Sequence, residues 1–508
     1  MSPDVVETTH GKLRGTVDNG IHIFRGIRYG ADTSGANRFR PPQPPASWSG
    51  VREATTFGDT AAQNFSRLAL GGSKGNRPPI GEDCLALNVW TPGCDNAKRP
   101  VMVWLHGGGF EAGTGTMQLY EGSRLSRRGD VVVVTINHRL NVFGHCDLEH
   151  LLGEDFRGSA NAGFLDVIAA LEWVRDNIAG FGGNPANVTI FGQSGGGRKV
   201  SIAMATPMAR GLFHRGIVQS GSHLRLLEKD RAAKLTDGLL RELGIPASEA
   251  RRLQDLPMEQ ILAANAKVRG RFSPTLDHCV FDRHPWDPDA PALSADIPML
   301  IGTCRTELSN QVGSADTSTF GLTDAELPQK LERYFPAADI PALIDTFRQS
   351  NPDAAAPELF FKLITARGYW LDSVLQTERK AAQQAAPVYS YRLMWHTPVE
   401  DGRRITPHSL DLPFIFDNVA VAPDMVGPPT DETDAMARVM SESWLAFARS
   451  GDPNNDQVPA WAPYDLAQRT VMHFDVTPTV YQDPHREERL ALSQYDTQQA
   501  RGRVLHRN

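Results

Sequence analysis

Val188-Thr189-Ile190-Phe191-Gly192-Gln193-Ser194-Gly195-Gly196-Gly197 opens as an apolar, β-branched run of strand length and passes at once into glycines around a serine. Glycines that flank a serine in the pattern G-x-S-x-G let a strand reverse sharply into a helix, because a Cβ at those places would collide across the turn. The apex residue then holds a strained backbone with its hydroxyl exposed. The first amides of the helix that follows face any negative charge that develops there. Ser194 is therefore the candidate nucleophile of the chain.

The surrounding segments agree with a strand that feeds a helix. Residues 87–90 and 101–105 read as strands, and 131–136 as a strand buried on both faces, since β-branched residues fill it. Residues 162–178 carry Phe164, Leu165, Ile168, Leu171, Trp173 and Val174 near helical spacing and stop before Phe181-Gly182-Gly183-Asn184-Pro185. A helix is expected over about 196–205 and a further strand over 216–219. Buried strands alternating with helices imply an α/β chain with a mostly parallel central sheet covered by helices. Segments 222–289 and 308–385 read as helical and are expected to be insertions roofing the site. No repeat, low-complexity tract or long linker divides residues 1–508, so a single catalytic domain is expected.

Composition narrows the classes of function. Hydrophobic residues make up 41% and charged residues 22% of the 508, enough apolar material for a sizeable core. Lys and Arg number 52 against 59 Asp and Glu, a net charge of −7, which opposes the basic excess of a nucleic-acid-binding face. Residues 1–14 lack the pattern of a signal peptide, and no run reaches the ~18–20 apolar residues that a membrane span needs. Cys84, Cys94, Cys146, Cys279 and Cys304 are odd in number, widely spaced and without a C-x-x-C pair, which disfavours a disulfide framework and a structural zinc site. A soluble, cytoplasmic protein with no nucleic-acid or membrane partner is expected. No H-E-x-x-H pair occurs among the 15 histidines. Asp452, Asn454 and Asp456 open like a calcium loop, but Gln457 stands where glycine is needed, so the segment reads as a turn. Neither a metal nor another cofactor is expected.

A serine hydroxyl attacks only when a base removes its proton, and the base must be held by an acid. After a nucleophile elbow the chain order is serine, acid, histidine. The strand 298–302 is followed by Thr303-Cys304-Arg305-Thr306-Glu307, which puts Glu307 just past a strand end. His408 lies in the polar loop Thr406-Pro407-His408-Ser409-Leu410-Asp411, after a strand over 388–393. Oxyanion stabilisation needs amides in place before charge develops. His106-Gly107-Gly108-Gly109-Phe110 follows the strand 101–105, and the amides of Gly108, Gly109 and Gly195 are the candidate donors.

These segments resemble the type-B carboxylesterases, the family of bacterial para-nitrobenzyl esterases and cholinesterases, nearly end to end. The likeness begins with Phe24-Arg25-Gly26-Ile27-Arg28-Tyr29 and Arg38-Phe39-Arg40-Pro41-Pro42 and continues through Glu82-Asp83-Cys84-Leu85-Ala86-Leu87-Asn88-Val89-Trp90. It takes in the triple glycine, Asn137-His138-Arg139-Leu140, the elbow, Leu212-Phe213-His214-Arg215 and Gln219-Ser220-Gly221. It closes with His408-Ser409-Leu410-Asp411-Leu412-Pro413-Phe414 and Phe447-Ala448-Arg449-Ser450-Gly451-Asp452-Pro453-Asn454. The resemblance implies an α/β-hydrolase fold, Ser194 as nucleophile, His408 as base and Glu307 as acid, with Gly108, Gly109 and Gly195 as oxyanion hole and Ser220 behind the triad. It implies a cofactor-independent serine hydrolase of small-molecule carboxylic esters.

The chain departs from the family in places. The elbow usually reads G-E-S-A-G, whereas Gln193 and Gly195 stand here; His138 and Asn141 replace a usual Tyr and Gly, and Thr306 an acid. Secreted relatives often pair the cysteine matching Cys84 with one upstream, and no cysteine precedes Cys84. Arg198 and Lys199, cations near a helix N-terminus, are read as paired or turned away beneath the sheet rather than as attracting an anionic substrate. His106 is read as structural. Tyr369, Trp370 and Trp395 are read as core, with a pocket wall as the other reading. Two rival functions use the same residues or lose them: a carbamate or amide hydrolase with this triad, and a non-catalytic binding protein of the same fold. The presence of Ser194, Glu307 and His408 together counts against the second.

Overall fold

In the computed structural model, which describes residues 4–64 and 79–501, contacts group the chain into two compact units. Met1–Gly216 with Leu226–Pro285 forms the first, and Ile217–Arg225 with Trp286–Asn508 the second.

The first unit is built on strands β1 (Thr16–Asp18), β2 (Ile21–Arg28), β3 (Ala86–Thr91), β4 (Arg99–Leu105), β5 (Val132–Ile136) and β6 (Gly183–Gln193). Their spatial order is β6-β4-β5-β3-β2-β1. β6 and β5 both run parallel to β4, whereas β3 is antiparallel to β5 and β2, and β2 to β1. Every residue of β3 and β5 is buried, as strands covered on both faces require; β5 is an unbroken apolar and β-branched run, and Asn88, the amide within β3, donates to Thr135 at 3.0 Å. Helix α1 (Ala162–Asn177) leads from β5 toward β6, and α2 (Gly195–Ala203) follows β6 after a single residue. Gly182, at φ +77°, ends the turn after α1 in the left-handed region that glycine adopts without strain. Leu105 pairs with Gly192 at the last rung between β4 and β6. The loops leaving these parallel strands therefore emerge side by side at their carboxyl ends, where sites on such sheets form.

Two family motifs prove to be scaffold. The Arg139 guanidinium donates to both carboxylate oxygens of Asp166 on α1 at 2.9 and 2.6 Å, both side chains buried. Arg38 makes the same forked pair with Glu82 and also donates to the carbonyls of Leu253 and Leu256 at 2.7 Å. Removing one partner of a buried pair strands the other charge, at about 3–5 kcal/mol. Within 226–285, helices α3 (Lys229–Leu243) and α4 (Met258–Asn265) bring Leu235, Leu239 and Ile261 into one apolar cluster with Phe39, Phe143 and Phe156.

In the second unit the order is β7-β8-β9-β10-β11, comprising β7 (Arg215–Gln219, whose last three residues belong here), β8 (Met299–Cys304), β9 (Val388–Leu393), β10 (Thr470–Phe474) and β11 (Thr479–Gln482). β8, β9 and β10 are parallel, and β11 returns antiparallel. Helices α5 (Leu308–Ala315), α6 (Ala356–Thr365) and α7 (Leu371–Ala382) fill much of 308–385, and Leu308, Phe360, Phe361 and Leu371 share one apolar cluster. Helix α8 (Asp431–Ser450) starts at a reciprocal cap between Thr430 and Thr433 and stops at Gly451, φ +84°. Among the described residues no helix is long and apolar enough to cross a membrane.

Candidate active site

Ser194 sits between β6 and α2 with φ +58° and ψ −121°, a conformation outside the regions open to ordinary side chains, and it is partly exposed. The glycines around it have steric reasons. A methyl on Gly192 would lie 2.5 Å from the Gly196 carbonyl carbon, and one on Gly196 would run into the Leu105 carbonyl. A methyl on Gly195 would lie 2.5 Å from the Gly109 Cα and overlap that residue's amide nitrogen and carbonyl oxygen. The backbone after β4 thus lies directly against the backbone after β6. Gly195, where the family usually has alanine, is a requirement of this contact. Gly108 (φ +95°) and Gly109 (φ +70°) both take left-handed conformations, and the loop closes on itself through Ala112 N–H donating to the Gly108 carbonyl at 3.2 Å.

His106 opens this loop, but it is not poised as a base. Its Nδ1 bonds to the Gly107 carbonyl at 2.9 Å, its ring stacks on His138 at 4.8 Å between centroids, and burial, with Lys199 nearby, pushes its pKa down to about 3. Burial holds His138 neutral as well. Of the two expectations for Lys199, paired or turned away beneath the sheet, it takes the first, with backbone carbonyls as its partners. It is 1% exposed, and its Nζ donates to the carbonyls of His106 at 3.0 Å and Gly109 at 3.3 Å, while Arg198 stays partly exposed.

The second unit holds Glu307 and His408. Glu307 immediately precedes α5, where the helix dipole favours a carboxylate, and is wholly buried. Its Oε1 accepts from the Cys304 amide at 2.7 Å, and its Oε2 accepts from His408 Nδ1 at 2.5 Å. A carboxylate accepts only, so the imidazole carries its proton on Nδ1 and leaves Nε2 as the basic nitrogen. Two further bonds set the histidine's backbone: His408 N–H donates to the Glu307 carbonyl at 3.1 Å, and Asn310 Nδ2 donates to the His408 carbonyl at 3.0 Å. Tyr369 packs its ring 5.0 Å from the imidazole.

Asp411, three residues after His408, faces another way. Its Oδ2 accepts from Gln219 Nε2 at 2.6 Å, and Gln219 Oε1 accepts from Trp444 Nε1 at 3.1 Å. Burial raises the Asp411 carboxyl to about 6, against the lowering effect of the Gln219 bond. Ser220 follows Gln219 with φ +48°, its amide donating to the Gly302 carbonyl at 2.8 Å and its buried hydroxyl without a partner.

Of the three aromatics singled out in the sequence, Tyr369 packs against a candidate residue, His408. Trp370 packs near Arg392 and His485, and Trp395 donates to Glu432 at 2.6 Å with its ring edge-on to Phe414. Asp452 and Asn454 form a turn, Asp452 Oδ1 accepting from the Asn454 amide and side chain. No group of three or more His, Cys, Asp or Glu side chains that could hold a metal occurs among the described residues. Sequence reasoning assigned no role to Gln219, Trp444 or Asn310. Their partners lie 192, 225 and 98 residues away, and no local spacing signals such pairs.

Comparison with known proteins identifies the family. A model of the carboxylesterase family matches residues 2–493. The para-nitrobenzyl esterase of Bacillus subtilis (strain 168) is 35% identical over 503 residues, covering 97% of this chain and 99% of that one, and the phenmedipham hydrolase of Pseudarthrobacter oxydans is 32% identical over 490. That second match covers 91% of this chain and 92% of the hydrolase. A crystal structure of a Geobacillus stearothermophilus carboxylesterase superposes with a TM-score of 0.84 at 36% identity, covering 96% of this chain and 99% of that one. The structural relatives carry the α/β-hydrolase fold, and the strands and covering helices described above belong to that fold. The chain belongs to the carboxylesterase family and is a serine hydrolase of carboxylic esters.

Proposed function

We propose that Ser194, His408 and Glu307 are the catalytic triad, with the amides of Gly108, Gly109 and Gly195 as the oxyanion hole. The observation that carries the reading is the Glu307–His408 bond at 2.5 Å, which fixes the imidazole with Nε2 as its basic nitrogen. Ser194 Oγ attacks the ester carbonyl carbon while His408 Nε2 takes the hydroxyl proton, and Glu307 stabilises the imidazolium that results. The former carbonyl oxygen becomes an oxyanion and is met by the three glycine amides, which need no reorganisation. As the C–O bond breaks, His408 Nε2–H protonates the departing alcohol and leaves an acyl-Ser194. Water then repeats the sequence and releases the acid.

Small-molecule esters are the proposed substrates. Ser220 is proposed to support the strand end behind Glu307, since its amide holds the Gly302 carbonyl of β8. Cytoplasmic residence is our reading of the cysteines: all five are free, and burial raises the thiol pKa values of Cys84, Cys146 and Cys304, which keeps them inert.

The test is covalent labelling. A fluorophosphonate should modify the protein once, at Ser194, and Ser194→Ala should fold normally yet lose ester hydrolysis except for a residual ~10³–10⁴-fold over water from the hole and binding. Labelling at another serine, or undiminished turnover by the variant, would remove the assignment.

A further inference from the structure

Lys199 is a buried ammonium with no carboxylate paired to it among the described residues. The groups that face it are Arg198 on its own helix, His106 on the glycine loop, His138 after β5 and His145 in the short helix Asn141–His145. All three imidazoles are held neutral by burial, and among the described residues no anionic group offsets the charge. Desolvation, followed by repulsion from Arg198, draws the Lys199 pKa down to about 7. A cation kept under such conditions is costly to the fold, and groups of this kind concentrate at functional sites.

What Lys199 touches is specific. Its Nζ bonds to the carbonyl oxygens of His106 and Gly109, the two residues that bracket Gly107 and Gly108, and lies 5.6 Å from the centre of the Phe110 ring. Holding a carbonyl fixes the plane of its peptide, and peptides on both sides of the Gly108 and Gly109 amides are held in this way. These glycines, both at positive φ, have no side chain to restrict them, so without an anchor the loop would sample conformations in which the amides point elsewhere. A positive charge one peptide behind the amides also deepens the local potential for an oxyanion.

We infer that Lys199 is a positioning residue for the oxyanion hole: its ammonium clamps the His106 and Gly109 carbonyls and so aims the Gly108 and Gly109 amides at the developing negative charge. Lys199 has this role only if those amides are the oxyanion donors, the assignment proposed above.

The experiment compares Lys199→Met, which keeps the chain length and removes charge and donors, with the wild type. With a 4-nitrophenyl ester, kcat should fall about 10- to 100-fold while KM stays within about twofold, because a misaimed hole affects the transition state and not the bound ester. A trifluoromethyl ketone, which adds to Ser194 and places an oxyanion in the hole, should lose affinity by the same factor. A lowered melting temperature with kcat and ketone affinity unchanged would make Lys199 a structural residue only and overturn the inference. If Lys199→Met does not fold, Lys199→Leu, which likewise removes the charge and the donors, is judged by the same two measurements. Ser194→Ala run in parallel separates the failures. Activity surviving in Ser194→Ala would sink the site assignment itself, whereas an inactive Ser194→Ala beside a fully active Lys199→Met would sink the role of Lys199 alone.

Discussion

Glu307→Gln is the substitution whose effect the geometry specifies most closely. Glu307 is wholly buried and receives two donors, the Cys304 amide on Oε1 at 2.7 Å and His408 Nδ1 on Oε2 at 2.5 Å. Glutamine has the same shape but one acceptor and one donor in place of two acceptors. The Cys304 amide cannot change its role, so the glutamine oxygen must turn to it and the NH₂ must face His408. The imidazole can then accept at Nδ1 only by moving its proton to Nε2, which is the tautomer that cannot take the Ser194 proton. A carboxylate-to-amide change at this place in serine proteases lowers kcat by ~10⁴ for the same reason, about 5.5 kcal/mol of transition-state stabilisation. We therefore expect kcat on a 4-nitrophenyl ester to fall by roughly 10³–10⁴ with KM within a few-fold, and a melting temperature close to wild type. Steady-state kinetics beside thermal unfolding distinguishes this from misfolding. A kcat within tenfold of wild type in a folded Glu307→Gln protein, with Asp411→Asn far more damaging, would show that the wrong carboxylate was chosen.

Gly195→Ala should act through the proposed oxyanion hole. Its methyl would overlap the Gly109 amide and carbonyl, and a loop displaced by ~1 Å costs about 10²-fold in kcat with KM little changed; an unchanged kcat would show that the loop accommodates a Cβ freely. Asp411→Asn should stabilise the protein at alkaline pH. The Asp411 carboxyl is raised from 3.8 to about 6 by burial, so the folded state holds its proton more tightly than the unfolded one, and stability is lost as pH rises between these values, on the order of 3 kcal/mol. The variant removes that loss while keeping an acceptor for Gln219. Its melting temperature relative to wild type should therefore be higher at pH 8 than at pH 4.5, and no difference between the two pH values would refute the assignment of that carboxyl.

The elements nearest the site were legible in the chain because they depend on neighbours in sequence. A β-branched run read as a buried strand is β5, helical spacing over 162–178 is α1, and G-x-S-x-G is a sharp turn carrying Ser194 at positive φ. Each of these follows from local sterics and from the period of apolar residues. Glu307 was already the candidate acid, since it follows a strand end and precedes the histidine, but the partner of Asp411 was of another kind: only packing sets its carboxylate against Gln219, 192 residues away, while Glu307 accepts from His408 Nδ1. Lys199 shows the same limit from the other side. Its place within two turns of Ser194 suggested a paired or turned-away cation and named no partner, yet the register of β4 against β6 sets the glycine loop over it, and its ammonium ends on two backbone carbonyls. Sequence determines what a segment does when the forces act over one to four residues. It left these partners open because hydrogen bonds and excluded volume between distant segments depend on strand register and side-chain packing, which exist only once the chain has folded.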